Sequence, residues 1–234
     1  MNCYIADLSV EIPAAGDLVP RCREYLCDEN EEAGADIVIR TESFRPDAWK
    51  PLTGDDYIYC ESGTHFHFQL LKFNGMMLHA SCVVVDGKAY LFSAPSGTGK
   101  STHTRLWQQM LGERAKIIND DKPALRLIDG VWYAYGTPWC GKDNINVNEK
   151  APVAGLCFIK QGSKNEIRRL SVKEALFRVL SQTIFRFEHA DRADALSKLI
   201  EDFLMKVPIY ELESLPNGDA AVLSYETMSR QFED

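Results

Sequence analysis

The chain has no basic tract, no CxxC pair, no repeat or low-complexity segment, and no apolar run near the roughly 18 residues of a membrane helix. Lys and Arg number 26 against 34 Asp and Glu, a net charge of -8. That balance argues against nucleic acid as a partner, because phosphate backbones are held by clustered cations. Seven cysteines are scattered at Cys3, Cys22, Cys27, Cys60, Cys82, Cys140 and Cys157, which suits buried or free thiols better than a zinc or redox centre. The start, MNCYIADLSVEIP, lacks a basic segment followed by an apolar one, so the expectation is a cytoplasmic protein with no membrane partner. What is present is ordinary for a globular chain: 234 residues, 45% of them hydrophobic, enough for one large domain or one domain with an appendage.

Short β-like pieces (Tyr4 to Ile12, Asp36 to Arg40, Tyr57 to Glu61, His65 to Phe73) alternate with turn-rich and acidic stretches, of which CDENEEAGAD reads as a solvated loop. Residues 1-75 are therefore expected to form a β-rich lobe, and residues 76-234 a catalytic domain. In the second part, SCVVV and AYLFSA flank Asp86-Gly87, and ALRLI and VWYAY flank Asp129-Gly130, two hairpin patterns. The run AKIIN and the apolar VAGLCFI complete a mixed sheet. Helices are expected over Lys100 to Leu111, from Ser171 with Glu174 in capping-box position, and from about Asp191 to Lys206.

Between a strand and the first of these helices stands Ala94 to Thr102, APSGTGKST. A phosphate-binding loop needs glycines that let backbone N–H groups converge on phosphate oxygens, a lysine reaching the terminal phosphates, and a hydroxyl for magnesium at the helix start. Gly97, Gly99, Lys100 and Ser101 supply these, with Ser96, Thr98 and Thr102 beside them. Ala94 stands where such loops usually carry their first glycine. Phosphoryl transfer also needs carboxylates, one toward magnesium and one toward the attacking hydroxyl. Asp120 and Asp121, ending the strand after the loop helix, are expected to face the phosphates from a parallel strand paired beside the loop. Crowding two carboxylates raises one pKa unless a cation is present.

Together LHAS, APSGTGKST, INDDKP and GTPWCGKD resemble the catalytic C-terminal domain of the HPr kinase/phosphorylase family, itself similar to ATP-dependent phosphoenolpyruvate carboxykinase. The resemblance spans roughly Met76 to Gly162. It implies a catalytic-site role for His79, proton acceptance by Asp121, magnesium binding by Ser101 and Asp120, and phosphate binding by Lys100. Asp143 lies near where that family has a carboxylate that helps hold magnesium, and Lys142 stands where it could approach phosphate; the other reading of GTPWCGKD is a packed turn at Pro138 and Trp139 with Lys142 a surface charge. The chain lacks the Glu-Ile-Arg-Gly signature that follows the aspartates in that family, which sets HPr itself aside as the substrate. His65 and His67, alternating as HFHF on an expected strand, lack a third metal ligand. Cys140 has no basic partner in sequence and reads as structural. Arg186 and Arg192 are expected to lie in surface ion pairs, with an acidic substrate as the other use.

The sequence thus predicts an α/β fold of the phosphoenolpyruvate-carboxykinase-like P-loop type, a mixed β-sheet with helices packed on it and a small N-terminal β-rich portion. The expected activity is magnesium-dependent transfer of the ATP γ-phosphate to a hydroxyl of a peptide, protein or small molecule, with ATP and Mg²⁺ as cofactors. Phosphorylase or carboxykinase chemistry, and a non-catalytic ATP-binding partner of a peptide-modifying system, are the alternatives. A homo-oligomer stays open.

Overall fold

A computed structural model describes residues 1–27, 34–44, 54–184, 190–215 and 218–230. Six residues of the acidic stretch, 28–33, and Arg186 lie outside them. The N-terminal part is a hairpin, β1 (Asn2–Ile5) and β2 (Leu8–Glu11), then a short helix α1 (Leu18–Arg21) and β3 (Ile37–Val38), which pairs with β2 in parallel. Ala6 and Asp7 turn the hairpin with φ of 54° and 58°. The turn is tied to the main body: Arg126 Nη1 donates to Ala6 O at 2.6 Å, and Asp7 Oδ2 accepts from Tyr135 Oη at 2.7 Å.

The two pieces expected as strands over 57–61 and 65–73 are instead one helix, α2 (Gly54–Leu70), followed by a short 3₁₀ turn. Burial explains the failure of the pattern. From Glu61 to Leu70 almost every position of α2 is covered, polar Glu61, Ser62 and Thr64 included, so no exposed polar face marks the helical period. HFHF then alternates by coincidence. Gly63 is needed at the closest approach, since a Cβ there would stand 2.9 Å from Trp139 Cδ1. Trp139 stacks on Phe66 with centroids 4.7 Å apart and donates from Nε1 to Ser62 Oγ at 3.0 Å.

The main body is a curled mixed sheet with helices against it. Its elements are β4 (Gly75–Met77), β5 (Ser81–Val85), β6 (Lys88–Ser93), α3 (Lys100–Leu111), β7 (Ala115–Asn119), β8 (Ala124–Ile128), β9 (Val131–Tyr135) and β10 (Lys150–Gln161). The remainder is β11 (Glu166–Arg169), α4 (Val172–Ser181), α5 (Ala190–Lys206), β12 (Ile209–Ser214) and α6 (Gly218–Ser229). Strands run in the order β4-β8-β9-β10-β6-β5-β7. The long β10 joins the halves: its first residues pair with β9 antiparallel, and its later ones pair with β6 and β12 in parallel. Both expected hairpins form, each turned by an Asp-Gly with positive φ at both residues. Ser171 caps α4 with Glu174 in a complete capping box. One expectation fails here: β7 pairs with β5, not beside the loop strand β6. Since both contacts of β5 are antiparallel, β7 still runs the same way as β6, and its end emerges at the loop's end of the sheet.

Two buried histidines make this fold sensitive to acid. His67 accepts from Met77 N–H at 2.9 Å, and His103 Nε2 lies 2.8 Å from Ser224 Oγ. Burial pushes their pKa values down from 6.5 to about 3 and about 4. The unfolded chain takes up these protons below about pH 6.5 while the folded chain does not, so stability falls as pH falls. Each histidine contributes a loss of about 1.4 kcal/mol per pH unit below that point, or about 4 kcal/mol for the pair at pH 5. Urea unfolding at pH 7 and pH 5 measures this directly, and equal midpoints would refute it.

Candidate active site

The residues that the sequence singles out converge on one open cleft of about 480 Å³ at the end of β6. His79, Ser96, Gly97, Gly99, Lys100, Ser101, Thr102, Asp120, Asp121, Lys142 and Asp143 all line it, with Gly141. Thr98 faces a second cavity of about 190 Å³ on the other side of the loop, with Thr102, Leu106, Ile159, Gln161 and Leu215.

The loop takes its shape from Gly97 and Gly99, at φ of 79° and 113°, a region that side-chain-bearing residues avoid. Gly99 caps α3, whose first-turn N–H groups have no intrahelical partner. Lys100 is buried and donates from Nζ to Ala94 O at 3.0 Å. Burial pulls its pKa down, with Asp121 opposing and Lys122 adding to the effect. Ala94 itself packs in the cluster of Phe92 and Trp107, which accounts for a small apolar residue there.

Asn119, the last residue of β7, builds the turn that carries the aspartates. Its Oδ1 accepts from the backbone N–H of Asp121 (2.9 Å) and Lys122 (2.7 Å), and its Nδ2 donates to Thr137 O at 3.0 Å. One buried amide therefore fastens the Asp-Asp turn to the GTPWCGKD segment. Asp120 is 4% exposed and accepts from the Gly141 N–H. Burial raises its pKa, the Gly141 N–H opposes, and the charges of Asp121 and Asp143 add to the rise.

Asp121 behaves in the opposite way. His79 Nε2 lies 3.1 Å from its Oδ1 and Lys122 Nζ 2.7 Å from its Oδ2. Burial alone would raise its pKa, but the His79 hydrogen bond and the Lys122 charge outweigh it and hold the carboxyl well below its usual range. Of the crowded pair it is thus Asp120 that is raised. His79 sits in the link between β4 and β5, and Gln182, just past α4, fixes it twice. Gln182 O accepts from the His79 N–H at 2.7 Å, and Gln182 Oε1 accepts from Nδ1 at 3.0 Å. Gln182 belongs to no motif, so no sequence signal marks it.

Arg21 and Tyr59 are further residues that sequence reasoning missed. Arg21 Nη1 and Tyr59 Oη both donate to Cys140 O, at 2.6 Å and 2.7 Å, with the guanidinium 4.8 Å from the Tyr59 ring centroid. The N-terminal part thereby braces the residue next to Gly141. Cys140 is buried and its thiol is pushed up to about 11, chiefly by burial, which leaves it unreactive. Asp143 is half exposed and pairs with Arg105 at 2.7 Å, while Lys142 is exposed at the rim. Arg192 lies over the Phe68 ring, 4.7 Å from its centroid.

Among the described residues no three His, Cys, Asp or Glu side chains form a metal cluster. The oxygen donors that do share the cleft, the Ser101 hydroxyl with the Asp120 and Asp143 carboxylates, fit Mg²⁺, which is commonly held by one or two carboxylates together with substrate phosphates. The raised pKa of Asp120 is what a nearby cation would relieve.

No protein-family model matches the chain, and no curated protein sequence matches it. Among solved structures it is similar to the Hpr(Ser) kinase/phosphatase from Coxiella burnetii, at 14% identity and a TM-score of 0.39, over 68% of this chain and 90% of that chain. Among the described residues no helix is long and apolar enough to cross a membrane.

Proposed function

We propose that the chain is a magnesium-dependent P-loop kinase of the phosphoenolpyruvate-carboxykinase-like type, transferring the ATP γ-phosphate to a hydroxyl. The observation that carries this reading is the His79–Asp121 contact of 3.1 Å in the same cleft as Lys100 and Ser101. A protein that only binds nucleotide has no need of a carboxylate held between a histidine and a lysine opposite its phosphate loop.

In this reading the loop amides from Gly97 to Ser101 and the Lys100 ammonium hold the phosphates, and the half-apolar cavity beside Thr98 takes the nucleoside end. Ser101 and Asp120 hold Mg²⁺ with Asp143 beside them, and the ion supplies positive charge against the phosphate oxygens. Asp121 accepts a hydrogen bond from the attacking hydroxyl. Its low basicity is no obstacle, because transfer through a loose transition state depends mainly on position and the proton departs late. His79, with Nε2 3.1 Å from Asp121 Oδ1, orients that carboxylate, while Gln182 keeps the ring in place. Lys100, whose charge is disfavoured by burial, gains its compensation from the phosphates.

The test is transfer of label from γ-labelled ATP into an extract and then into purified acceptors. Label should appear in an acid-stable phosphoester, depend on Mg²⁺, and fall at least about a hundredfold in Lys100→Ala. Transfer of undiminished rate in Lys100→Ala would remove the loop from the reaction.

A further inference from the structure

The cavity beside Thr98 is walled by the ends of two strands and one side of α3. β10 and β12 pair there in parallel, with Ile159 opposite Leu212 and Gln161 opposite Ser214. Successive side chains of a strand point to opposite faces of the sheet, and the charges follow that rule. Lys160, between Ile159 and Gln161, pairs on the other face with Glu211 and Glu213, at 3.5 Å and 3.4 Å. Ile159 and Gln161 line the cavity, with Leu106 and Leu215 as further apolar walls. Among the described residues no Lys, Arg, Asp or Glu lines it, and the imidazole that does, His103, has its Nε2 2.8 Å from Ser224 Oγ. The exposed side-chain amide of Gln161 makes no hydrogen bond among the described residues.

Gly97, Gly99 and Thr102 line this cavity and the transfer cleft alike, so a molecule with its phosphates in the cleft can place its other end here. At about 190 Å³ the cavity is smaller than the roughly 300 Å³ or more of pockets for drug-sized ligands, which suits one ring system rather than a whole nucleotide. The apolar walls favour a flat ring, and its edge is left to Gln161. A primary amide sets an acceptor and a donor side by side, the complement of the amino group and neighbouring ring nitrogen of adenine. Guanine is served less well. The amide can turn to meet O6 and N1–H, but the 2-amino group then needs a further acceptor, and no carboxylate lines the cavity; a donor buried unpaired is costly. Cytosine presents an edge like that of adenine on a smaller ring, which covers less of the apolar wall. We infer that this cavity is a base subsite in which the Gln161 amide selects adenine over guanine. This rests on the kinase reading above and adds to it a residue that decides the nucleotide.

Binding is measured on the full chain by calorimetric titration with Mg²⁺ and ATP, ITP, GTP or CTP, and with inorganic tripolyphosphate as the probe of the loop alone. ATP should bind about tenfold more tightly than GTP or CTP, and ITP, which lacks the 2-amino group, should bind nearly as well as ATP. Gln161→Met removes the amide from an exposed side chain of similar length. It should weaken ATP binding about tenfold and leave the urea midpoint and tripolyphosphate binding unchanged. Gln161→Glu should reverse the preference toward GTP, because a carboxylate accepts from N1–H and the 2-amino group of guanine and faces the lone pair of adenine N1. Equal affinities for ATP and GTP, ITP binding as weakly as GTP, or parental ATP binding by Gln161→Met would each overturn the subsite, while label transfer that still depends on Lys100 would leave the kinase reading intact. A preference for ATP that follows Gln161 without transfer to any acceptor would keep the subsite and sink the kinase reading.

Discussion

Replacing Asp121 by Asn is expected to lower phosphoryl transfer at least about a thousandfold while ATP binds as tightly as before or slightly more so. The substitution keeps the size of the side chain and one oxygen for His79 Nε2, now 3.1 Å away, so the ring has little reason to move. What disappears is the charge. Lys122, 2.7 Å from Oδ2, loses its counter-ion, and the incoming hydroxyl loses the carboxylate that orients it and takes its proton. The phosphates are expected to rest on Lys100 and the loop amides, which Asp121 does not touch, and removing a negative charge from the cleft lessens repulsion of the nucleotide. Calorimetric titration with ATP and single-turnover transfer separate the two effects. An Asp121→Asn enzyme that turns over normally would take Asp121 out of the mechanism. One that fails to bind ATP would make it a structural residue.

The parts of this molecule legible in sequence are those whose signal is local. Asp86-Gly87 and Asp129-Gly130 dictate their own turns through positive φ, Ser171 and Glu174 cap α4 within four residues, and Gly97 and Gly99 bend the phosphate loop without outside help. What escaped depends on distant neighbours. α2 reads as strands because its second half is buried on nearly every side, and that burial comes from Trp139, Met77 and the N-terminal sheet. The place of β5 between β6 and β7 is a choice of partner that no stretch of either strand records. At the site, His79, Asp120 and Asp121 stand in recognisable motifs, whereas Gln182 and Arg21 act through contacts 103 and 119 residues away along the chain. Those contacts decide how the ring and the Gly141 loop sit, and no stretch of sequence near His79 or Gly141 records them.

Gly136→Ala carries the largest expected cost to stability. A Cβ at this position would stand 1.8 Å from Val147 O and 2.8 Å from Ile118 O. Both are backbone carbonyls, Ile118 in β7 and Val147 in the segment between β9 and β10, and neither can swing aside as a side-chain tip would. Gly136 N–H donates to Glu149 O at 3.0 Å and Val147 N–H donates to Ile118 O at 2.9 Å, so making room means parting the segment between β9 and β10 from its partners in these bonds. The loss should be at least about 3 kcal/mol, seen as a lower urea midpoint. Asn119 follows Ile118 directly and fastens the Asp-Asp turn to Thr137, so the same displacement should reach Asp121 and depress transfer in whatever fraction remains folded. Gly141→Ala provides the contrast. Its Cβ would meet Asp120 Oδ2 at 2.8 Å, the free end of a side chain, which can rotate away. That variant should fold with near-normal stability and lose activity through a displaced Asp120 carboxylate, with higher Mg²⁺ needed for half-maximal rate. If Gly136→Ala unfolded at the same urea concentration as the parent chain, the close approach of its Cα to Val147 O would be wrong, and with it the path by which the GTPWCGKD segment reaches the cleft.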